Sequence, residues 1–189
     1  MTATTPLRAL VVYESMFGNT EKVAGAVLHG LQHEGVDTGL VEAGTAPASL
    51  PDDLDLLVVG GPTHGFSMSR ASTRADAVRQ GAPSERTGAG IREWLESVRL
   101  DAERRPLVAA FDTRVTKVRW IPQAAGPSAA RAARRRGLEV MAKPVGFLVD
   151  DLRGPLLEHE LERAEAWGRH LATELSTRAA ARSGTTPDR

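Results

Sequence analysis

The run Leu54-Asp55-Leu56-Leu57-Val58-Val59-Gly60 narrows the possible folds more than any other stretch of this chain. It is almost continuously apolar rather than alternating, so a strand built from it must be covered on both faces. That is the condition of a parallel strand held between two layers of helices. Leu107-Val108-Ala109-Ala110-Phe111 and Val145-Gly146-Phe147-Leu148-Val149 repeat the pattern, and residues 7–13 read as a further buried strand. Val36 to Glu42, interrupted by Gly39, is a weaker strand suited to a sheet edge. Between these runs, Val23, Ala24, Val27, Leu28 and Leu31 recur at helical spacing before Gly35 ends the segment. Part of 72–99, about 127–136, and 155–175 are also predicted helical. The last places Leu157, Leu161, Ala164, Trp167 and Leu171 on one side and starts at Pro155, a residue that suits a first helical position. Strands alternating with helices predict an α/β domain with a doubly wound, five-stranded parallel sheet and helices on both faces. The domain is placed at residues 7–176, with a flexible start at 1–6 and a disordered tail at 177–189.

A chain of 189 residues with 41% hydrophobic content can bury one substantial core. Twenty-four basic and twenty-four acidic residues cancel, so no global field draws the protein to nucleic acid or an anionic membrane. The absence of cysteine excludes disulfides, a thiolate nucleophile and Cys-ligated metal sites. The opening Met1–Pro6 lacks the charged and apolar regions of a signal peptide, and no apolar run is long enough to span a bilayer. A soluble cytoplasmic protein is expected.

The chemistry points to the turn after the first strand. Leu10-Val11-Val12-Tyr13 stops abruptly at Glu14-Ser15-Met16-Phe17-Gly18-Asn19-Thr20, and a helix follows at once. Strand, loop and helix start in that order aim several backbone N–H groups and the positive end of a helix dipole at one point, which suits an anion. The P-loop lysine and the three spaced glycines of a dinucleotide turn are both missing. Ser15, Asn19 and Thr20 instead offer short polar groups beside the amides of Met16 to Thr20, an arrangement suited to a terminal phosphomonoester. The alternative is a helix N-cap with no ligand. Ligands of open parallel sheets collect beyond the carboxyl ends of the strands. Two more segments should therefore converge there: Gly61-Pro62-Thr63-His64-Gly65-Phe66 and Asp112-Thr113-Arg114.

Ser15-Met16-Phe17-Gly18-Asn19-Thr20 resembles the FMN phosphate loop of flavodoxins, usually Ser/Thr-x-Thr-Gly-Asn-Thr. Gly60 to Phe66 is similar to that family's next flavin-contacting loop. The resemblance covers roughly residues 7–175 and implies the sheet order 2-1-3-4-5, with FMN bound non-covalently. Its phosphate would lie at Ser15–Thr20, and its ring against Pro62, Thr63, His64, Gly65, Phe66 and the loop starting with Asp112, Thr113 and Arg114. The implied activity is electron transfer with a redox partner protein or a small redox acceptor, and no side chain takes a catalytic role. The peptide at Gly65 is expected to reorient to accept a hydrogen bond from reduced flavin N5, although Gly65 could equally serve only a tight turn. Two features depart from the pattern. Phe17 replaces the middle threonine, and the habitual ring-flanking Trp or Tyr is missing from its place, leaving His64, Phe66 or Trp120 for that role. Two other functions stay open: an FMN-dependent NAD(P)H:quinone-type reductase, and a flavin-free interaction module that keeps the fold.

Other candidates are weaker. His29 and His33 are spaced for a metal but should point to solvent, and His159 and His170 lie too far apart for one ion. Arg131, Arg134, Arg135 and Arg136 are either a docking patch for an acidic partner or phosphate backbone, or an ordinary solvated helix face. Neutral overall charge and few aromatics favour the second. No nucleophile elbow is present, and Val59-Gly60-Gly61 lacks the strand-end aspartate of a phosphoacceptor domain. Redox potential, partner and oligomeric state are not encoded in any local pattern.

Overall fold

The computed structural model describes residues 6–100, 105–118, 120 and 123–183. Five parallel strands form one sheet in the order β2-β1-β3-β4-β5. They are β1 (Arg8–Tyr13), β2 (Asp37–Glu42), β3 (Leu56–Pro62), β4 (Leu107–Val115) and β5 (Val145–Val149). The helices are α1 (Asn19–His33), α2 (Ala71–Arg79), α3 (Ile91–Ser97), α4 (Ala125–Arg135) and α5 (Glu160–Ser183). Among the described residues no helix is long and apolar enough to cross a membrane.

The apolar strands are buried on both faces, as their composition requires. On one face Val11, Leu56, Val58 and Phe111 pack against Val23, Val27 and Leu31 of α1 and Leu171 and Leu175 of α5. On the other, Val12, Leu57, Val59 and Val108 meet Trp94 and Leu95 of α3 and a row of alanines from α4, Ala129, Ala130 and Ala133. Each fully buried Val or Leu contributes roughly 1.5–3 kcal/mol relative to an exposed one. Phe111, Phe147 and Trp167 meet edge to face, with ring centroids 6.0 to 6.2 Å apart. Gly30 and Gly168 let α1 and α5 touch backbone to backbone, because a Cβ at Gly30 would collide with the carbonyl of Glu165.

The strand register aligns the carboxyl ends that carry the site. Tyr13 lies beside Gly60, Pro62 beside Thr113, and Val115 beside Val149. From β1 the chain turns one way to β2 and the other way to β3, so the gap between β1 and β3 is the topological switch point.

Three boundaries differ from the sequence expectation. β4 continues through Asp112, Thr113 and Arg114 to Val115, because β5 pairs with its second half, Phe111–Val115 against Val145–Val149. Those three residues are strand rather than loop. The final helix begins at Glu160 rather than Pro155, and Leu161 is 41% exposed while Ala164, Leu171, Ala172 and Leu175 form the buried face. It also continues to Ser183, so residues 177–183 are helix, not tail. Arg178 holds that end, pairing with Glu174 and Glu139 and donating to the Met141 carbonyl. The flexible start at 1–5 and the tail at 184–189 lie outside the described residues.

Candidate functional site

Gly18 sits at the N-cap of α1 with φ +85°, in the left-handed region where only glycine is unstrained. A Cβ there would meet nothing within 4 Å, so backbone conformation rather than room demands glycine. The Gly18 amide donates to Ser15 Oγ (3.1 Å), which closes the loop, and Lys22 N–H donates to the Gly18 carbonyl (3.1 Å), which starts the helix. No side chain caps α1, so its opening amides face the cleft at the positive end of the dipole.

The cleft beyond these amides is lined by Ser15, Met16, Phe17, Asn19 and Thr20 from the loop, and by Pro62, Thr63 and His64 after β3. Thr113, Arg114 and Val115 of β4, with Val149 and Leu152 at the end of β5, complete it. Among the described residues no carboxylate lines it. Three predicted segments therefore meet, although not every residue faces the opening.

The short polar side chains have partners of their own. Thr20 Oγ1 and Thr113 Oγ1 are 2.7 Å apart and buried. Whichever hydroxyl accepts in that pair keeps its own hydrogen free to donate elsewhere. Asn19 Nδ2 donates to the Arg153 carbonyl (3.2 Å), fastening the loop after β5 to the start of α1. Arg86 clamps the loop from outside, donating from Nη1 to the Ser15 carbonyl and from Nη2 to Glu21 Oε2, both at 2.8 Å. Phe17 is half-buried against the Met16, Ala77 and Ala82 cluster beside α2. Its ring does packing work where a third hydroxyl was sought.

Asp112 is the clear departure from expectation. It is fully buried and does not line the cleft. Its carboxylate accepts from Arg114 Nε and Nη2, both at 2.6 Å, and from the Gly126 amide at 3.0 Å and Thr63 Oγ1 at 3.3 Å. Thr63 Oγ1 accepts in turn from the Ala125 amide (3.0 Å). Asp112 and Thr63 thus cap α4 from distant parts of the chain, where Ala124 at the N-cap has nothing to offer. Arg114 reaches the cleft with its charge balanced by Asp112, so the cleft's positive character comes chiefly from α1.

His64 and Ser67 form a tight two-residue turn, with His64 N–H donating to the Ser67 carbonyl (2.9 Å) and Ser67 N–H to that of His64 (3.1 Å). Its central residues, Gly65 (φ +53°) and Phe66 (φ +64°), are both left-handed. For a phenylalanine that conformation is strained, and the ring is 46% exposed. Burial, followed by the nearby Arg74 cation, pushes the His64 imidazole below its ordinary value, against a Thr73 backbone bond and Asp76. This favours the neutral imidazole. A second groove, lined by Phe17, His64, Gly65, Asp76, Ala77 and Leu152 among others, adjoins the cleft toward α2. Trp120 is 81% exposed and lines neither opening.

Beneath the loop, Glu14 is buried and its Oε2 accepts from the Ile91 amide (3.0 Å) at the start of α3. Arg74, also buried, forks onto Glu93 (3.1 and 3.2 Å) and donates to Ser69 Oγ (2.8 Å). Glu14 Oε1 has no hydrogen-bond partner among the described residues, and burial pushes its carboxyl above the usual range.

No family model matches this sequence, and no curated protein matches it. Its architecture does match solved structures. A flavodoxin from the domain Archaea aligns with a TM-score of 0.61 at 19% identity, over 90% of this chain and 99% of its own. Oxidised Flavodoxin 2 from Bacillus cereus gives 0.60 at 18%, over 90% and 99%. The rubredoxin oxygen:oxidoreductase of Desulfovibrio gigas gives 0.60 at 17%, over 93% of this chain but 38% of its own.

The chain has the flavodoxin-like fold.

Within the flavodoxin-like fold the Ser15–Thr20 loop and the cleft occupy the switch point between β1 and β3. Sequence reasoning missed Val115, Val149, Leu152 and Arg86. Leu152 carried a faint signal, as an isolated leucine between Asp150-Asp151 and Arg153 after a strand. Arg86 carried none, since only tertiary contact brings it to Ser15.

Proposed function

We propose that this protein binds FMN in the cleft at Ser15–Thr20 and acts in electron transfer with a redox partner or small acceptor, as a cytoplasmic protein. The observation that carries this reading is the start of α1, where a left-handed Gly18 and no side-chain cap leave the first amides facing a cleft that no carboxylate lines among the described residues. A doubly charged phosphomonoester fits that donor set, because backbone N–H groups and the helix dipole both favour an anion. FMN, when bound, supplies the redox chemistry, and the protein supplies binding, orientation and electrostatics.

The residues divide that work. The amides of Met16, Phe17, Asn19 and Thr20 and the spare hydrogen of the Thr20–Thr113 pair donate to phosphate oxygens, while the Gly18 amide holds the loop closed on Ser15 Oγ. Arg86 keeps the loop in its donating conformation by holding the Ser15 carbonyl. Thr63, His64, Val115 and Leu152 form the walls for the ring, and neutral His64 adds no charge beside it. The flavodoxins among the structural neighbours add support by analogy of fold.

The test is titration of the purified protein with FMN and with riboflavin, read by quenching of flavin fluorescence and by the visible spectrum. FMN is expected to bind far more tightly. S15A and T20A should each weaken FMN by about tenfold, the cost of one charge-assisted hydrogen bond, and leave riboflavin nearly unchanged. Equal losses for both ligands, or no binding of FMN, would overturn the assignment.

A further inference from the structure

We infer that the exposed arginine face of α4, together with the 64–67 turn at the cleft mouth, docks a protein that presents clustered Asp and Glu around an apolar spot. Residues 113–138 contain seven Lys and Arg and no Asp or Glu, in a chain whose total charge is zero. The structure shows how unevenly this charge is compensated. On the other helical layer Arg163, Arg169 and Arg178 each pair with a carboxylate. Among the described residues no ion pair includes Arg131, Arg134 or Arg135 of α4, or Arg92 of α3. Arg131, Arg134 and Arg135 are exposed. A solvated helix face in a neutral protein would carry both signs, and this one carries a single sign.

Hydrogen bonds join this patch to the cleft. Arg131 Nη2 donates to Ser128 Oγ (3.0 Å), Ser67 Oγ donates to the same oxygen (3.3 Å), and Arg92 Nη2 donates to Ser67 Oγ (3.1 Å). Ser67 closes the turn that holds Phe66 exposed in its strained conformation. Arginines without an ion pair, linked through Ser128 and Ser67 to a turn that carries an exposed aromatic ring, are a protein-interface composition, since Arg and aromatic residues are enriched there. A nucleic-acid surface is disfavoured by the sequence pI of about 7.0, because such domains are generally basic as a whole. The inference rests on the FMN reading only for the partner's redox role; the charge pattern stands without it.

The experiment uses the full chain, with and without FMN, and a poly-L-glutamate of about 20 residues as probe, read by NMR shift mapping and by affinity against salt. Binding is expected at low ionic strength, with shifts confined to 64–67 and α4, and about tenfold weaker between roughly 20 and 200 mM salt. The triple variant R131E/R134E/R135E should lose binding by at least about tenfold with an unchanged melting curve. The control K143E, at the amino end of β5, should bind as the unaltered protein does. Poly-glutamate binding that persists when FMN fails to bind supports the docking surface and removes only the flavin reading. No binding at low salt, shifts elsewhere, an unaffected triple variant, or tighter binding of a duplex DNA of similar length at the same residues would each overturn it.

Discussion

Thr20 and Thr113, ninety-three positions apart in the chain, place their Oγ1 atoms 2.7 Å from each other in a buried contact between the first turn of α1 and the end of β4. This pair ties the two walls of the cleft together beside the start of α1. It also leaves one hydroxyl hydrogen to spare, because only one of the two can donate across the contact. T113V should therefore cost about 1 kcal/mol of stability in urea unfolding and also weaken FMN severalfold, although Thr113 stands outside the loop that resembles a phosphate motif. Unchanged FMN affinity in T113V would show that the spare hydrogen does not face the ligand.

The buried Asp112–Arg114 pair makes a different prediction. Asp112 accepts a bidentate pair from Arg114 and caps the Gly126 amide. Removing one charge of a buried pair leaves the other uncompensated, so D112N should destabilise the protein by about 3–5 kcal/mol. Denaturant unfolding measures this directly. A loss below 1 kcal/mol would mean that water reaches Arg114 freely.

Glu14 supplies a pH dependence of known sign. Its folded-state carboxyl lies above the usual range because of burial, opposed by Ser69, the Ile91 amide and Arg74. The unfolded chain releases this proton at lower pH than the native protein does. The contribution of Glu14 therefore falls as pH rises from the ordinary carboxylate range through its raised native value, and is complete below that range. E14Q keeps an oxygen for the Ile91 amide and cannot ionise. Unfolding free energies measured across pH should show E14Q gaining on the unaltered protein as pH rises, and a constant difference would refute the assignment.

Phe66 should be more stable replaced than kept. A non-glycine residue at φ +64° carries conformational strain, and asparagine tolerates that region well. F66N is expected to raise stability by about 1 kcal/mol, seen as a higher melting temperature. A fall would show that the half-exposed ring makes contacts worth more than the strain.

Much of the fold was legible because its signals are local. An unbroken apolar run such as Leu54–Gly60 demands cover on both faces wherever it lies, and Gly39 marked β2 as the edge strand it is. The loop Ser15–Thr20 was legible for the same reason, since strand end, left-handed glycine and helix start are neighbours in sequence. The Asp112 segment was misplaced because pairing with β5, not its own composition, decides where β4 stops. The α5 boundaries shifted because Leu156 bridges Val149 and the Leu157 amide donates to the Leu148 carbonyl, holding that segment against β5, whereas Arg178 finds Glu139 and Met141 beyond the expected end.

The sequence by itself determined that this protein is a covered parallel sheet with a glycine turn and a helix start directly after its first strand, because hydrophobic period and turn chemistry act over a few residues. Only the tertiary structure decided that Asp112 serves α4 rather than the cleft, that Thr20 meets Thr113, and that no ion pair among the described residues includes Arg131, Arg134 or Arg135. Those outcomes depend on strand register and on which helix faces which, and a charge or hydroxyl acquires its role only from the groups brought within a few ångströms of it.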